Sequence, residues 1–479
     1  MLNRRPKCPL VWIAPAFLAL SFAVNPLWAQ GTQSVPRARV TVPDPRAFGL
    51  DIPPGLVLYD IQGNVEFRNE EGGTNVGKIH VAIGNHVVIQ RPDGKLITRK
   101  ATEVKMTDRT FEGIDRKVLE QRLREEHPGF RTLASRHFVF VYNTSREFAQ
   151  GTMRIMESML PGVMAHAKRQ KIDVHDPEVP LVVIMFATEA EYKQFAQLPD
   201  GVVAYYDTME NHVVMYERPS KTPFKWELYY RQAISTISHE GAHQILHNIG
   251  VQQRLSRWPM WLSEGIAEYY APTEFGRRMR WKGAGDINDM RMFELESYLK
   301  ARDANQADGA MVDDTIGASR LTSTGYASAW ALTHYLASRH KLEFDQFMKK
   351  VSETRPLEGA LALGKDGKVT TNREVFQEFF GSDFAGLERD LVKHLKAQPY
   401  DHPFKEFIHF VASVRININN RIYGTANVFH SEQLAAKWQQ EQIRKLDAAQ
   451  QQQATIEMAK FPNRPAAERA AAHWLRTNN

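Results

Sequence analysis

The stretch "SHEGAHQILHNIG" at 238–250 carries three histidines and a glutamate at spacings that suit a metal site. On a helix, His239 and His243 stand about 40° apart around the axis and about 6 Å apart along it. Two imidazoles so placed reach one ion, with Zn–N bonds of about 2.0–2.1 Å. Glu240 follows the first histidine and faces the open side of such an ion, where it can take a proton from a water. His247 continues the four-residue series, but it lies about 12 Å up the axis and about 80° round from His239. Three ligands on one straight helix cannot close around one ion, so His247 reads as a packing or surface histidine.

A catalytic zinc needs a third protein ligand and leaves one position for water. The single cysteine, Cys8, falls in the N-terminal leader discussed below, so the third ligand must be His, Asp or Glu. Residues 258–272, "WPMWLSEGIAEYYAP", read as a second helix bounded by Pro259 and Pro272. A short loop returns it beside the first and offers Glu264 to the ion. Glu268 lies on the same face and suits a carboxylate that holds a ligand imidazole in the correct tautomer. Both could be ordinary solvated helix charges. The segment is aromatic and apolar, however, and an unpaired carboxylate buried in it is costly.

Other elements must position these residues. The metal helix is expected over 226–250, with Leu228, Ala233, Ile234, Ile237, Ile245 and Ile249 at helical spacing and Gly250 as its stop. Ahead of it, 137–143, 179–188 and 211–217 read as strands, 145–169 as a helix, and Thr188 as the cap of another. Strand 211–217 could bind an extended peptide by strand addition. From about residue 225 the chain is mainly helical, so strands precede helices and the fold class is α+β: a small mixed sheet, then a helical half. The domain organisation is read as a signal peptide 1–29, a linker 30–50, a small all-β domain 51–112, a connector helix 113–130, the zinc domain 131–398 and a C-terminal extension 399–479. In the β domain, Pro92-Asp93-Gly94 suits a hairpin turn, and nothing there looks catalytic, so its role is docking or packing. The polar, glycine-containing stretch 302–325 reads as a mobile loop over the cleft or as a disordered insertion. The extension reads as one strand, "SVRININNRIYG", followed by a Gln-rich helix or loose tail.

The chain has 479 residues, 43% of them apolar and 24% charged, ordinary values for a globular protein. "MLNRRPK", an apolar run and "NPLWAQ" have the layout of a secretory signal cleaved after Ala29, so an exported protein is expected: periplasmic, cell-envelope or extracellular. The other reading is an uncleaved anchor, but the run is short and broken by Pro15. After cleavage no stable membrane span is expected. The formal charge of +6 then loses Arg4, Arg5 and Lys7 and falls to +3. No dense basic patch interleaved with aromatics appears, so nucleic acid is not implied.

"HEGAH" followed by "WLSEGIAEYY" resembles the gluzincin metallopeptidases, in which H-E-x-x-H on one helix is completed by a Glu on the next. Over about 131–395 the chain more closely resembles the peptidase-MA-like domains of unknown function in exported bacterial proteins, with "YYD…NHVVMYE" and "GYASAWALTHYL" as further landmarks. The resemblance implies one zinc per chain on His239, His243 and Glu264, with Glu240 as general base. It also points to Tyr326, whose phenol would hydrogen-bond the developing oxyanion; the other reading is a core tyrosine. "DTMENHVVMYE" is similar to the G-x-M-E-N segment of zinc aminopeptidases, whose Glu grips the substrate amino terminus. Glu210 and Asn211 match, but Asp207 and Thr208 replace the glycine and small residue, and a turn before a strand explains the stretch equally well.

The expected function is that of a zinc peptidase acting on a peptide or protein substrate. A catalytically inactive metal-site binding or scaffold protein of the cell envelope is the alternative. A structural zinc site is disfavoured, because such sites use four protein ligands and much cysteine. Specificity and oligomeric state are not expressed in the sequence.

Overall fold

The structure is a computed structural model. It describes residues 44–478 apart from 70–71, 199–201, 219–225, 275–278, 302–306, 360–361, 364–368 and 419–420. The expected signal peptide, its Cys8 and most of the linker lie outside the described residues. Two compact units divide at Gln398/Pro399. The fold is α+β: small sheets precede a mainly helical region.

The first unit begins with six strands: β1 Val57–Leu58, β2 Asn64–Arg68, β3 Thr74–Ile83, β4 His86–Gln90, β5 Leu96–Lys100 and β6 Val104–Thr107. They form an antiparallel sheet in the order β5-β4-β3-β2-β6, with β1 also paired to β3. The β4–β5 hairpin turns on Gly94, whose φ of 85° is open to glycine. One face of this sheet does not end at its own boundary. Val81, Ile83, Val88 and Leu96 share a core with Leu255 and Leu357 from the helical region.

Helix α1 (Arg116–Glu126), capped by Asp115, leads into a second sheet. Its elements are β7 Arg131–Ala134, β8 Phe138–Tyr142, α2 Arg146–Arg169, β9 Leu181–Thr188, α3 Glu189–Phe195, β10 Ala204–Asp207 and β11 His212–Arg218. The strand order is β10-β11-β9-β8-β7. The central strands β8, β9 and β11 run parallel and are apolar on both faces, as strands covered on two sides must be. The expected strand addition to 211–217 fails here. β11 is hydrogen-bonded to β10 on one side and β9 on the other, so it has no free edge; the edge strand beside it is β10.

The helical region comprises α4 Trp226–Asn248, α5 Met260–Tyr270, a ribbon of β12 Thr273–Glu274 and β13 Arg280–Trp281, α6 Asp289–Ala301, α7 Ala310–Gly317, α8 Ser323–Arg339, α9 Lys341–Ser352, a ribbon of β14 Ala362–Leu363 and β15 Val369–Thr370, α10 Asn372–Phe380 and α11 Phe384–Lys396. Helix α4 packs on β10 and β11 and against α2 and α5, so Ala233, Ile234, Ile237, Ala242, Ile245 and Ile249 are all buried. It stops before Gly250, at φ 90°. Helix α5 lies tightly on α8. A Cβ on Gly265 would come within 2.3 Å of Thr333 Oγ1 and 2.6 Å of the Ala329 carbonyl oxygen. Only glycine permits that approach. The expected mobile loop at 302–325 is corrected over its described part. Residues 310–317 form α7, with Val312, Thr315 and Ile316 buried, because its apolar residues recur at helical spacing and close over α8 and α11.

The second unit also departs from expectation. The single expected strand is a hairpin of β16 His409–Ile418 and β17 Arg421–Phe429. Helices α12 Glu432–Arg444 and α13 Ala448–Gln453 follow, then β18 Thr455–Phe461 pairs with β16, and α14 Arg464–Thr477 ends the unit. The Gln run forms one short helix with no buried residue, as the helical reading had it, set between a long helix and a strand and not in a loose tail. Ala467 and Ala471 of α14 pack on Val411, giving the unit its own small core.

Candidate metal and catalytic site

Helices α4 and α5 bring His239, His243 and Glu264 together. His239 Nε2 and His243 Nε2 are 3.2 Å apart. Glu264 Oε2 lies 3.0 Å from the first and 3.5 Å from the second. Atoms about 2.0–2.1 Å from a tetrahedral centre stand about 3.3–3.4 Å from one another, so these three sit close to the corners a zinc ion would need. The donor set also fits: two imidazoles and a carboxylate, with no sulfur. These residues could hold a metal.

Both ring nitrogens of His239 face carboxylates, since Nδ1 is 3.0 Å from Glu268 Oε1. Glu268 is 3% exposed and anchored from behind. Its Oε2 accepts from Asn288 Nδ2 at 2.8 Å, and its Oε1 accepts from Arg291 Nη2 at 2.6 Å. The electrostatics follow from this packing. Burial opposes ionisation of Glu268, but the Arg291 cation and His239 outweigh it and bring the carboxyl down to about 2. Burial likewise opposes Glu264, whose carboxyl is held well below the usual range by His243 and by hydrogen bonds from both histidines. Burial pulls His239 down, yet Glu268 and Glu264 hold it well above an ordinary imidazole. The cluster is thus negative around His239 and stabilises a positive charge at that point.

Glu240 lies beside this triangle and near enough to both histidines to feel their charge, and its carboxylate accepts the Tyr206 backbone N–H of β10 at 2.9 Å. Burial raises its pKa, offset in part by the two histidines. Tyr326 stands one turn into α8, its ring 5.9 Å from that of His239 and edge-on to it. Burial, then Glu264, Glu240 and Glu268, keep its phenol protonated. His247 is not part of the cluster. It stacks on Tyr206 at 5.5 Å, and burial lowers it to about 3.

The Glu210–Asn211 pair has a structural role. Asn211, at φ 62°, makes the turn between β10 and β11 and is buried against Tyr206 and Asn248. Asparagine tolerates this left-handed conformation, so the missing glycine is not needed for the turn. The Glu210 carboxylate forms an ion pair with Lys95 at 2.8 Å.

Several residues around the site escaped the sequence reading. Asn288, Arg291 and Glu294 recur every third residue at the start of α6, a polar stripe on a helix whose Met292, Leu295 and Leu299 are buried. That stripe was the available signal. Arg254 is the other. It is 3% exposed and spends its guanidinium on backbone carbonyls: Nε on Thr208 at 2.9 Å, Nη1 on Gly94 at 2.6 Å, and Nη2 on Thr208 and on Met209 at 3.0 Å. It ties the β4–β5 turn to the β10–β11 turn, and so braces the strand that holds Glu240.

No helix among the described residues is long and apolar enough to cross a membrane. No curated protein matches the chain. A family profile described as "Protein of unknown function (DUF1570)" matches residues 233–358, the stretch that holds His239, Glu240, His243, Glu264, Glu268, Arg291 and Tyr326.

Proposed function

We propose that the protein is a zinc-dependent peptidase, exported from the cell, with one zinc held by His239, His243 and Glu264. The observation that carries this reading is the near-tetrahedral triangle of three donors with Glu240 beside it. Zinc, when bound, supplies Lewis acidity toward a carbonyl oxygen and lowers the pKa of water toward about 7. The chain's own residues do the rest. Glu240 accepts a proton from the attacking water as its oxygen joins the carbonyl carbon. It returns that proton to the amine nitrogen as the C–N bond breaks. Its raised pKa suits a group that must both take and give a proton near neutral pH. Tyr326 offers its phenol hydrogen to the oxygen on which charge develops. Glu268 fixes the tautomer of His239. An extended peptide is the favoured substrate because β10 is a sheet edge lying against α4, beside Glu240. The basic and apolar N-terminal sequence supports export.

The test compares the mature chain with Glu240→Gln for bound zinc and for cleavage of casein or a peptide library. One zinc per chain in both, with cleavage by the wild type alone, is expected. Zinc without cleavage by either supports instead an inactive metal-site binding or scaffold protein. Absence of zinc, unchanged by His243→Ala, overturns the site.

A further inference from the structure

Resting on the zinc-site reading above, we infer that Arg291 is a positioning residue that locks the metal-ligand cluster and the Tyr326 helix into one register. Its guanidinium is shared among three groups from three helices. Nη2 donates to Glu268 of α5 at 2.6 Å, and Nη1 donates to Glu294 of α6 at 2.7 Å. Its central carbon lies over the Tyr326 ring of α8, 5.4 Å from the ring centroid. Glu294 closes the circuit, because its other oxygen accepts from Ser323 Oγ at 2.8 Å, and Ser323 is the first residue of α8. The chain of contacts runs His239–Glu268–Arg291–Glu294–Ser323, with Tyr326 against its middle.

Each contact fixes something the site needs. The Glu268 carboxylate has two oxygens. Arg291 and Asn288 hold one each, so the carboxylate plane cannot rotate away from His239 Nδ1. Carboxylates held in this way orient ligand imidazoles, and disturbing them typically costs 10–100-fold in metal affinity. The same guanidinium holds the Tyr326 ring through a cation–π contact. Loss of Arg291 therefore disturbs two functions: zinc retention, which it reaches through Glu268, and the placement of the phenol, whose ring it touches. Lysine cannot replace it. A single ammonium keeps the charge but has no planar fork to span two carboxylates while stacking on a ring.

Zinc affinity is measured on the mature chain by competition with a chromophoric chelator, for wild type, Arg291→Lys and Arg291→Gln. Lysine keeps the charge and most of the volume, so it reports if the glutamine variant does not fold. The expected result is a 10–100-fold loss of zinc affinity in both variants. A purely structural role would lower the melting temperature while leaving affinity unchanged. A second readout is a double-mutant cycle of Arg291→Lys with Tyr326→Phe on kcat, at saturating zinc. The two losses are expected to overlap, not multiply, because both remove the placed phenol. Variants that bind zinc as tightly as a zinc-binding wild type overturn the inference and leave the zinc reading standing. A wild type that binds no zinc overturns both.

Discussion

The protonation state of His239 gives the sharpest prediction. Its two ring nitrogens lie 3.0 Å from Glu264 Oε2 and 3.0 Å from Glu268 Oε1. The negative charge of a carboxylate favours a proton on each nitrogen that faces it, and an imidazole with two N–H groups is a cation. In chelator-stripped protein at neutral pH, His239 is therefore protonated at both positions, in keeping with its raised pKa. Metal loading needs the electron pair on Nε2. The Nε2 proton must leave, while the Nδ1 proton stays, facing Glu268. The cost is one proton per metal. Below the His239 pKa, affinity should climb about tenfold per pH unit from this group alone, about 1.4 kcal/mol per unit. The assay is calorimetric titration of zinc into stripped protein at pH 7 in two buffers of different ionisation enthalpy. Glu268→Gln is run beside it. Removing that charge takes away the largest influence that raises His239, so the variant should release fewer protons from this group. Protons released elsewhere are common to both proteins and cancel. Equal proton release by wild type and Glu268→Gln would refute the reasoning.

Three further outcomes are expected. The stripped protein should be most stable between about pH 4.3 and 6.5 as far as this cluster is concerned. His239 is raised, so its contribution is full below its unfolded pKa and fades as pH rises through the folded one. Glu264 and Glu268 are depressed, so theirs is full above their unfolded pKa and fades as pH falls. Thermal melts across pH 3–9 (roughly the accessible range) check this, and a stability that rises steadily to pH 9 would contradict it. Arg254→Met should destabilise by about 2–4 kcal/mol, because it strands the carbonyls of Gly94 and Thr208 in the interior, while that of Met209 keeps the Leu96 N–H; urea denaturation measures it. Tyr326→Phe should lower kcat by about 10²-fold with zinc content unchanged, the size of effect seen for one lost oxyanion donor. A loss of zinc would place the phenol in the ligand set instead.

The His239–His243–Glu264 cluster was legible in the sequence because much of its geometry is local. A four-residue spacing on a helix fixes two imidazoles whatever surrounds them, and the aromatic segment around Glu264 and Glu268 required burial and hence partners. The strand–helix order was legible for the same reason: apolar periodicity along 137–218 belongs to each element by itself. The C-terminal unit was harder. "TIEMAKF" alternates polar and apolar residues only over its first four positions, it is short and follows a Gln run, and its pairing with β16 reaches back forty residues or more.

Tertiary structure alone decided the supports. Which strand has a free edge depends on partners, not on the strand's own residues, and so β10 rather than β11 borders the site. Arg291 is a partner of Glu268 only because α6 packs on α8, which itself lies on α5. Arg254 acquired its role only when the β4–β5 turn met the β10–β11 turn. A sequence fixes contacts within a few turns of one helix through backbone geometry. Contacts between distant segments are set by how whole faces pack, and the side chains that hold this site in place are contacts of that second kind.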